Sequence, residues 1–308
     1  MKLSIITSIY NRKKLFVRGL DSIKRQSMDK KDFELVVVDD GSIDDYTELF
    51  KNSGLNIKHI KIDHTKHELW DELQNSELKK KLKVPELWYH TPALSTNIGI
   101  KQSRGDIICI TQPEVIHSPL SMVNGYNNSI GGYSQVFGEI IMAAGRFNDW
   151  LDNEGKNWEV KNFQELLRTA TDFGKEYEFV PGEYYWFIEF IPRQAALDIN
   201  GVDEEYLRGV YGEDDNFRIR GRMAVRGEEY RGREGGRQNW QNCVIGIHQS
   251  HIEEKHLKQQ REGSMWTIGA NLNRTRLAEF MKDPQMVANE NHLWGDPKCI
   301  EKINEYSI

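Results

Sequence analysis

Two clusters of acids stand out in the chain. Asp39 and Asp40 sit side by side at the end of an apolar run in "FELVVVDDGSIDD", and Glu213, Asp214 and Asp215 are adjacent in "GEDDNFR". Adjacent carboxylates repel one another, and the repulsion raises the proton affinity of one of them, which suits a general base. A carboxylate at the mouth of a buried strand can accept a hydrogen bond from a ligand N–H. The same residues also suit structural work. Asp39, Asp40 and Ser42 fit an Asx turn that caps the next helix, and Asp215 fits the N-terminus of a helix beginning near Asn216. A third charged stretch, "RIRGRMAVRGEEYRGREGGR", places seven arginines between Arg218 and Arg237. It is equally suited to gripping phosphate and to pairing with Glu228, Glu229 and Glu234 in solvent.

Regular elements must position these groups. Strands are expected at Leu3–Ile9, Glu34–Val38, Ile57–Ile62 and Asp106–Thr111, rich in β-branched residues. Helical spacing marks Lys13–Arg25, Asp44–Asn52 and Ala93–Gln102. The consecutive apolar residues of the second strand are those of a central parallel strand covered on both faces. Alternating strands and helices indicate an open α/β sheet, in which ligands bind beyond the carboxyl ends of the strands. "HTKHELWDELQNSELKKKLKV" reads as a polar, helix-prone surface insertion. The second half is rich in aromatics, Gly and Arg, and is expected to share the same sheet and cleft.

The commonest cofactors of such sheets fail their own test. "SIYNRKK" after the first strand has neither the glycines of a dinucleotide fingerprint nor a phosphate-binding P-loop. The motifs "SIITSIYNR", "ELVVVDDGSIDD", "NIGIKQSRGDIICITQPEV" and "INGVDEEYLRGVYGEDDNFRIR" instead resemble, in order, a family 2 glycosyltransferase with the GT-A fold, over roughly 1–125 and 185–222. The last segment is also similar to the acceptor side of galactosyltransferase-type enzymes. The resemblance implies a Rossmann-like mixed sheet, mostly parallel and flanked by helices. It implies a GT-A domain over 1–275, divided into a nucleotide-sugar half (1–125) and an acceptor and catalytic half (126–275). Residues 276–308 read as a C-terminal helical appendage.

The resemblance further implies a nucleotide-sugar donor, usually uridine-linked, contacted by Thr7, Tyr10, Asn11, Asp39, Asp40, Asn97 and Gln112. Asp39 is the favoured partner for a base N–H. Asp214 matches the catalytic base, with Glu213 holding an acceptor hydroxyl and Trp186 and Asp215 on the acceptor side. One departure is clear: the family's Asp-x-Asp is missing, and Thr111 and Pro113 stand in its place. Glu114 is the remaining carboxylate, in a variant "NPE"-like sequence. It is expected to bind Mn²⁺ or Mg²⁺ with His248 as second ligand, the diphosphate and water completing the shell. A zinc site from His248, His251 and His256 is a weaker alternative, and His117 is a further histidine near the cleft.

The expected reaction is a single displacement with inversion. The alternative is a sugar-nucleotide or glycan-binding module that has lost catalysis; a nucleotidyltransferase would want glycines in "SIYNRKK". Acceptors left open are a glycan, a lipid-linked sugar or another hydroxyl compound, with DNA least supported. The net charge of −6 argues against a generic nucleic-acid binder. Cys109, Cys243 and Cys299 show no metal or redox spacing and read as buried thiols. No run is long enough to span a membrane and the N-terminus has no signal-peptide pattern. A cytoplasmic protein, peripheral at a membrane or not, is therefore expected, with a C-terminal oligomer contact as an option.

Overall fold

The computed structural model describes residues 1–76, 79–80, 92–130, 133–154, 162–173, 187–208, 211–225, 228–231, 241, 243–250 and 264–308. Strands β1 (Leu3–Ile9), β2 (Phe33–Asp39), β3 (Ile57–Ile62) and β4 (Ile107–Thr111) fall where their apolar runs place them. They are followed by β5 (Val115–His117), β6 (Tyr133–Phe137), β7 (Glu139–Met142), β8 (Ile188–Pro192), β9 (Glu228–Arg231), β10 (Ile245–His248) and β11 (Ile300–Tyr306). The main sheet has the order β11-β3-β2-β1-β4-β8-β6-β9, and a small sheet has the order β5-β10-β7. Pairings β1–β2, β2–β3, β1–β4 and β6–β9 are parallel, while β8 and β11 run against their neighbours. This is a mixed, mostly parallel sheet, and the second half does extend it.

Every residue of β2 is buried. Leu35 and Val37 meet Phe16, Phe50 and Tyr46 on one face, whereas Val36 and Val38 meet Ile98 and Ile100 on the other. The first layer rests on the helix Lys13–Lys24, whose Phe16, Leu20 and Ile23 form one apolar stripe. The second rests on the helix Pro92–Gln102. That helix lies so close to β1 that a Cβ at Gly99 would sit 2.4 Å from Ile6.

Two expectations are corrected. The C-terminal segment is not a helical appendage: the helix Ser264–Phe280 ends early in it, and β11 then pairs antiparallel with β3 at the sheet edge. Its Glu301, Lys302, Asn304 and Glu305 are the residues of an exposed edge strand, whose polar outer surface hides its strand character. Nor is the segment after β3 purely a surface insertion. Leu69, the first residue of the helix Leu69–Asn75, is buried, and His67 reaches the fully buried Glu204 at 2.9 Å. The described cysteines are free and buried, as expected. No described helix is long and apolar enough to cross a membrane.

Candidate active site

A cleft of about 230 Å³ opens at the carboxyl ends of β1, β2 and β4. Ser8, Tyr10 and Arg12 follow β1, Asp40 follows β2, Ser95 and Thr96 come from the helix Pro92–Gln102, and Gln112 and Glu114 follow β4. Ser8 and Ser95 share a hydrogen bond of 2.6 Å, which ties strand to helix in the floor. Tyr10 keeps 41% of its surface exposed at the cleft.

The two leading aspartates separate. Successive side chains of a strand face opposite sides of the sheet. Asp39 follows Val37 onto the face of Phe50, where it is wholly buried. Its Oδ1 accepts from the Ser42 N–H at 2.8 Å, and its Oδ2 lies 3.3 Å from His59 Nε2. The base contact expected of Asp39 is therefore not supported by its placement; it shapes the turn. Asp40 faces the cleft, with Oδ1 2.8 Å from His64 Nδ1.

Other expected donor contacts divide in the same way. Gln112 and Tyr10 line the cleft. Asn11, at φ 50°, braces two loops, its Oδ1 accepting from the Ile43 N–H and its N–H donating to Ser42 Oγ. Thr7 lies between the lining residues Ile6 and Ser8, and strand alternation turns it to the buried opposite side. Asn97 is fully buried, bonded to Val202 and to Glu204 Oε1. Ser95 and Thr96, on the neighbouring turn, occupy the cleft instead.

The Glu114–His248 pair is brought together by strand register. In the small sheet Val115 pairs with His248, so the residue before Val115 meets the imidazole. Glu114 Oε1 lies 3.4 Å from His248 Nε2, and both side chains are essentially buried. The same oxygen is bonded by Arg12 Nη1. Helix Lys13–Lys24 packs directly on this loop, because Gly19 leaves room for the carbonyl of Pro113, which a Cβ would meet at 2.4 Å.

These donors can be tested against a divalent cation. Neighbouring ligands at bonds of about 2.1 Å are separated by roughly 3 Å, so an oxygen and a nitrogen 3.4 Å apart match two adjacent positions of a shell. Thr111 Oγ1 is committed to the Phe187 carbonyl at 2.6 Å, and Pro113 offers no side-chain donor. No group of three or more His, Cys, Asp or Glu able to hold a metal occurs among the described residues. Glu114 and His248 offer two donors, and Arg12 shares the Glu114 oxygen. His117 is buried and bonded to Thr111 at 3.3 Å; burial pushes its pKa down to about 3, so it is neutral and structural.

The acid trio begins the helix Glu213–Ala224, after Gly212 at φ 89°. Phe217 anchors this helix in the layer that contains Ile98, Ile108 and Ile110, on the sheet face that bears the cleft's helix wall. Burial pushes Glu213 up to about 7 and Asp214 well above the carboxylate range, and the neighbouring acids add to both shifts. Asp215 pairs with Arg218 at 3.2 Å, as a first-turn acid does. The trio is not part of the cleft lining. Trp186, His251, His256 and the loop 232–240 lie outside the described residues. Arg12, Ser8, Ser95, Thr96 and His64 were not picked out from sequence. The place of Arg12 beside "SIYN" was a usable signal, whereas the serines and His64 carried none.

The family described as Glycosyl transferase family 2 matches residues 4–70, which hold β1 to β3 and the Asp39–Asp40 turn. No curated protein matches the sequence. Among solved structures, TarS 1–349 from S. aureus in complex with UDP is 16% identical with a TM-score of 0.50, covering 91% of this chain and 71% of that one. Mannosyltransferase PcManGT from Pyrobaculum calidifontis, in complex with GDP-Man and Mn²⁺, is 14% identical with a TM-score of 0.51, covering 92% of this chain and 65% of that one. Against the longer S. aureus TarS structure (15% identity, TM-score 0.51, 93% of this chain covered), the chain spans 46% of that chain's length. The matched segment and the shared architecture agree: residues 4–70 are similar to family 2 glycosyltransferases, and the chain as a whole has the fold of these GT-A glycosyltransferase structures.

Proposed function

We propose that the protein transfers a sugar from a nucleotide-diphosphate donor, of the uridine class, to an acceptor hydroxyl, with inversion at the anomeric carbon. The observation that carries this reading is the cleft itself: within and beside the family segment, Tyr10, Asp40, Gln112 and Glu114 meet at the carboxyl ends of β1, β2 and β4. Tyr10 packs on the base or ribose. Asp40, oriented by His64, accepts hydrogen bonds from the nucleoside, and Gln112 adds a polar contact.

Glu114 and His248 would hold a divalent cation, Mn²⁺ or Mg²⁺, which when bound neutralises charge on the leaving diphosphate. Asp214 accepts the acceptor's hydroxyl proton as its oxygen forms the new bond to the anomeric carbon. The bond from that carbon to the diphosphate oxygen breaks in the same displacement. The raised proton affinity of Asp214 makes it a stronger base than an ordinary aspartate. Glu213, Asp215 and Trp186 serve the acceptor, a glycan, lipid-linked sugar or other hydroxyl compound. A reaction in one displacement needs attack from the face opposite the leaving group, hence inversion.

The test is incubation with UDP-sugars and GDP-mannose, with Mn²⁺ or Mg²⁺, followed by nucleoside diphosphate release and the anomeric configuration of any product. Binding of a donor with no release under any condition would leave a sugar-nucleotide-binding module. Product of retained configuration would remove the single displacement.

A further inference from the structure

We propose that Arg12 binds the diphosphate of the donor directly, a role that rests on the reading of the cleft as a nucleotide-sugar site. Arg12 is the only Lys or Arg among the described residues lining the cleft. The two positions at the end of β4 where the family resemblance expects metal-binding carboxylates hold Thr111 and Pro113, so among the described residues Glu114 and His248 are the donors that remain there for a cation. A diphosphate entering between Asp40 and Glu114 meets two carboxylates and needs a positive group on the protein.

The side chain is held for that task. Its Nη1 bonds Glu114 Oε1, and Glu114 is backed by His248 at 3.4 Å. Its other guanidinium nitrogens have no hydrogen-bond partner among the described residues, while 37% of the side chain remains exposed. A guanidinium presents five N–H groups in a planar fork, so one edge can stay on the carboxylate while the rest meet phosphate oxygens. Tyr10, two residues earlier, lines the same cleft and places the nucleoside end of the ligand next to it.

The experiment measures binding of UDP and GDP against uridine and guanosine by calorimetry, in EDTA and in Mn²⁺. It uses wild type, Arg12→Ala and Arg12→Gln. The expected result is a loss of about tenfold or more in diphosphate affinity in both variants and both conditions, the size of a lost charged hydrogen bond, with nucleoside affinity unchanged. Arg12→Gln keeps a donor for Glu114, so a loss there reports the charge and not the integrity of the loop. Unchanged diphosphate affinity overturns the proposal, as does an equal loss of nucleoside and diphosphate in both variants, which would give Arg12 a role in cleft shape only. Wild type that binds neither nucleosides nor diphosphates removes the nucleotide-sugar reading of the cleft, and the proposal with it.

Discussion

His64 Nδ1 lies 2.8 Å from Asp40 Oδ1, so the segment after β3 fixes the carboxylate that faces the cleft. The His64 ring is itself packed against Trp70, with ring centroids 5.2 Å apart. A region that reads as surface insertion therefore supports the cleft. His64→Ala is expected to weaken nucleotide binding several-fold with little change in thermal stability. His64→Asn, which can still donate to Asp40, is expected to recover part of the affinity. Calorimetry with UDP checks both; equal affinity in His64→Ala would detach this histidine from the site.

Asp214→Asn is expected to lower the transfer rate by at least ~10²-fold with donor affinity nearly unchanged, since a general base contributes about that much. The same change should raise stability near neutral pH. Asp214 holds its proton more tightly when folded, so its contribution to stability is full below the unfolded pKa and is lost as pH rises through the folded value. The gain in melting temperature of Asp214→Asn over wild type should therefore grow from pH 4 to pH 8. No gain at any pH would mean that the group is not destabilised in the folded protein.

The acids titrate together. Burial holds Glu213 near 7, and the charge of Glu213 is the second cause, after burial, of the raised value at Asp214. Activity should rise with pH above the ordinary carboxylate range as the pair loses its protons, because both acids hold theirs more tightly than usual. Glu213→Gln removes one charge, so the rising limb should move to lower pH. A pH–rate profile of kcat/KM on both proteins decides, and a limb that stays in place would uncouple the two residues.

Glu114→Ala should weaken metal-dependent donor binding, and His248→Ala should do so to a smaller extent because a carboxylate suits Mn²⁺ or Mg²⁺ better than imidazole does. Mn²⁺ titration in the presence of UDP provides the measurement. Gly19→Ala tests the support of this loop: a Cβ meeting the Pro113 carbonyl at 2.4 Å must displace backbone. A destabilisation of about 1–3 kcal/mol is expected, in the range of overpacked sites.

A second buried network holds the segments behind the cleft together. Glu204 Oε2 lies 2.9 Å from His67 and 3.2 Å from His292, while Oε1 accepts from Asn97 and from the Gly295 N–H. These bonds outweigh desolvation and pull Glu204 down to about 2. A depressed carboxylate stabilises the fold above its unfolded pKa and loses that effect as pH falls toward the folded value. Glu204→Gln should cost roughly 3 kcal/mol at pH 7, and the deficit should close between about pH 4.5 and 2. Denaturant melts at several pH values would show it.

The sequence alone determined the frame: β1 to β4 are apolar runs separated by amphipathic helices, and such patterns are local. It also marked Asp39, Asp40, Glu114 and the acids at 213–215 as candidates, with Asp39 favoured over Asp40, because a carboxylate at the end of a buried strand or crowded against others is unusual wherever the chain goes. The edge strand Ile300–Tyr306 was not legible, since one exposed side erases the apolar signal. Only the tertiary structure decided that Asp39 turns inward and Asp40 outward, a consequence of which strand face the cleft occupies. It likewise gave Asn97 to Glu204 and seated Arg12 and His248 on Glu114. These are contacts between segments far apart in sequence, and no local spacing encodes them; they follow from strand register and from how closely helices can approach the sheet.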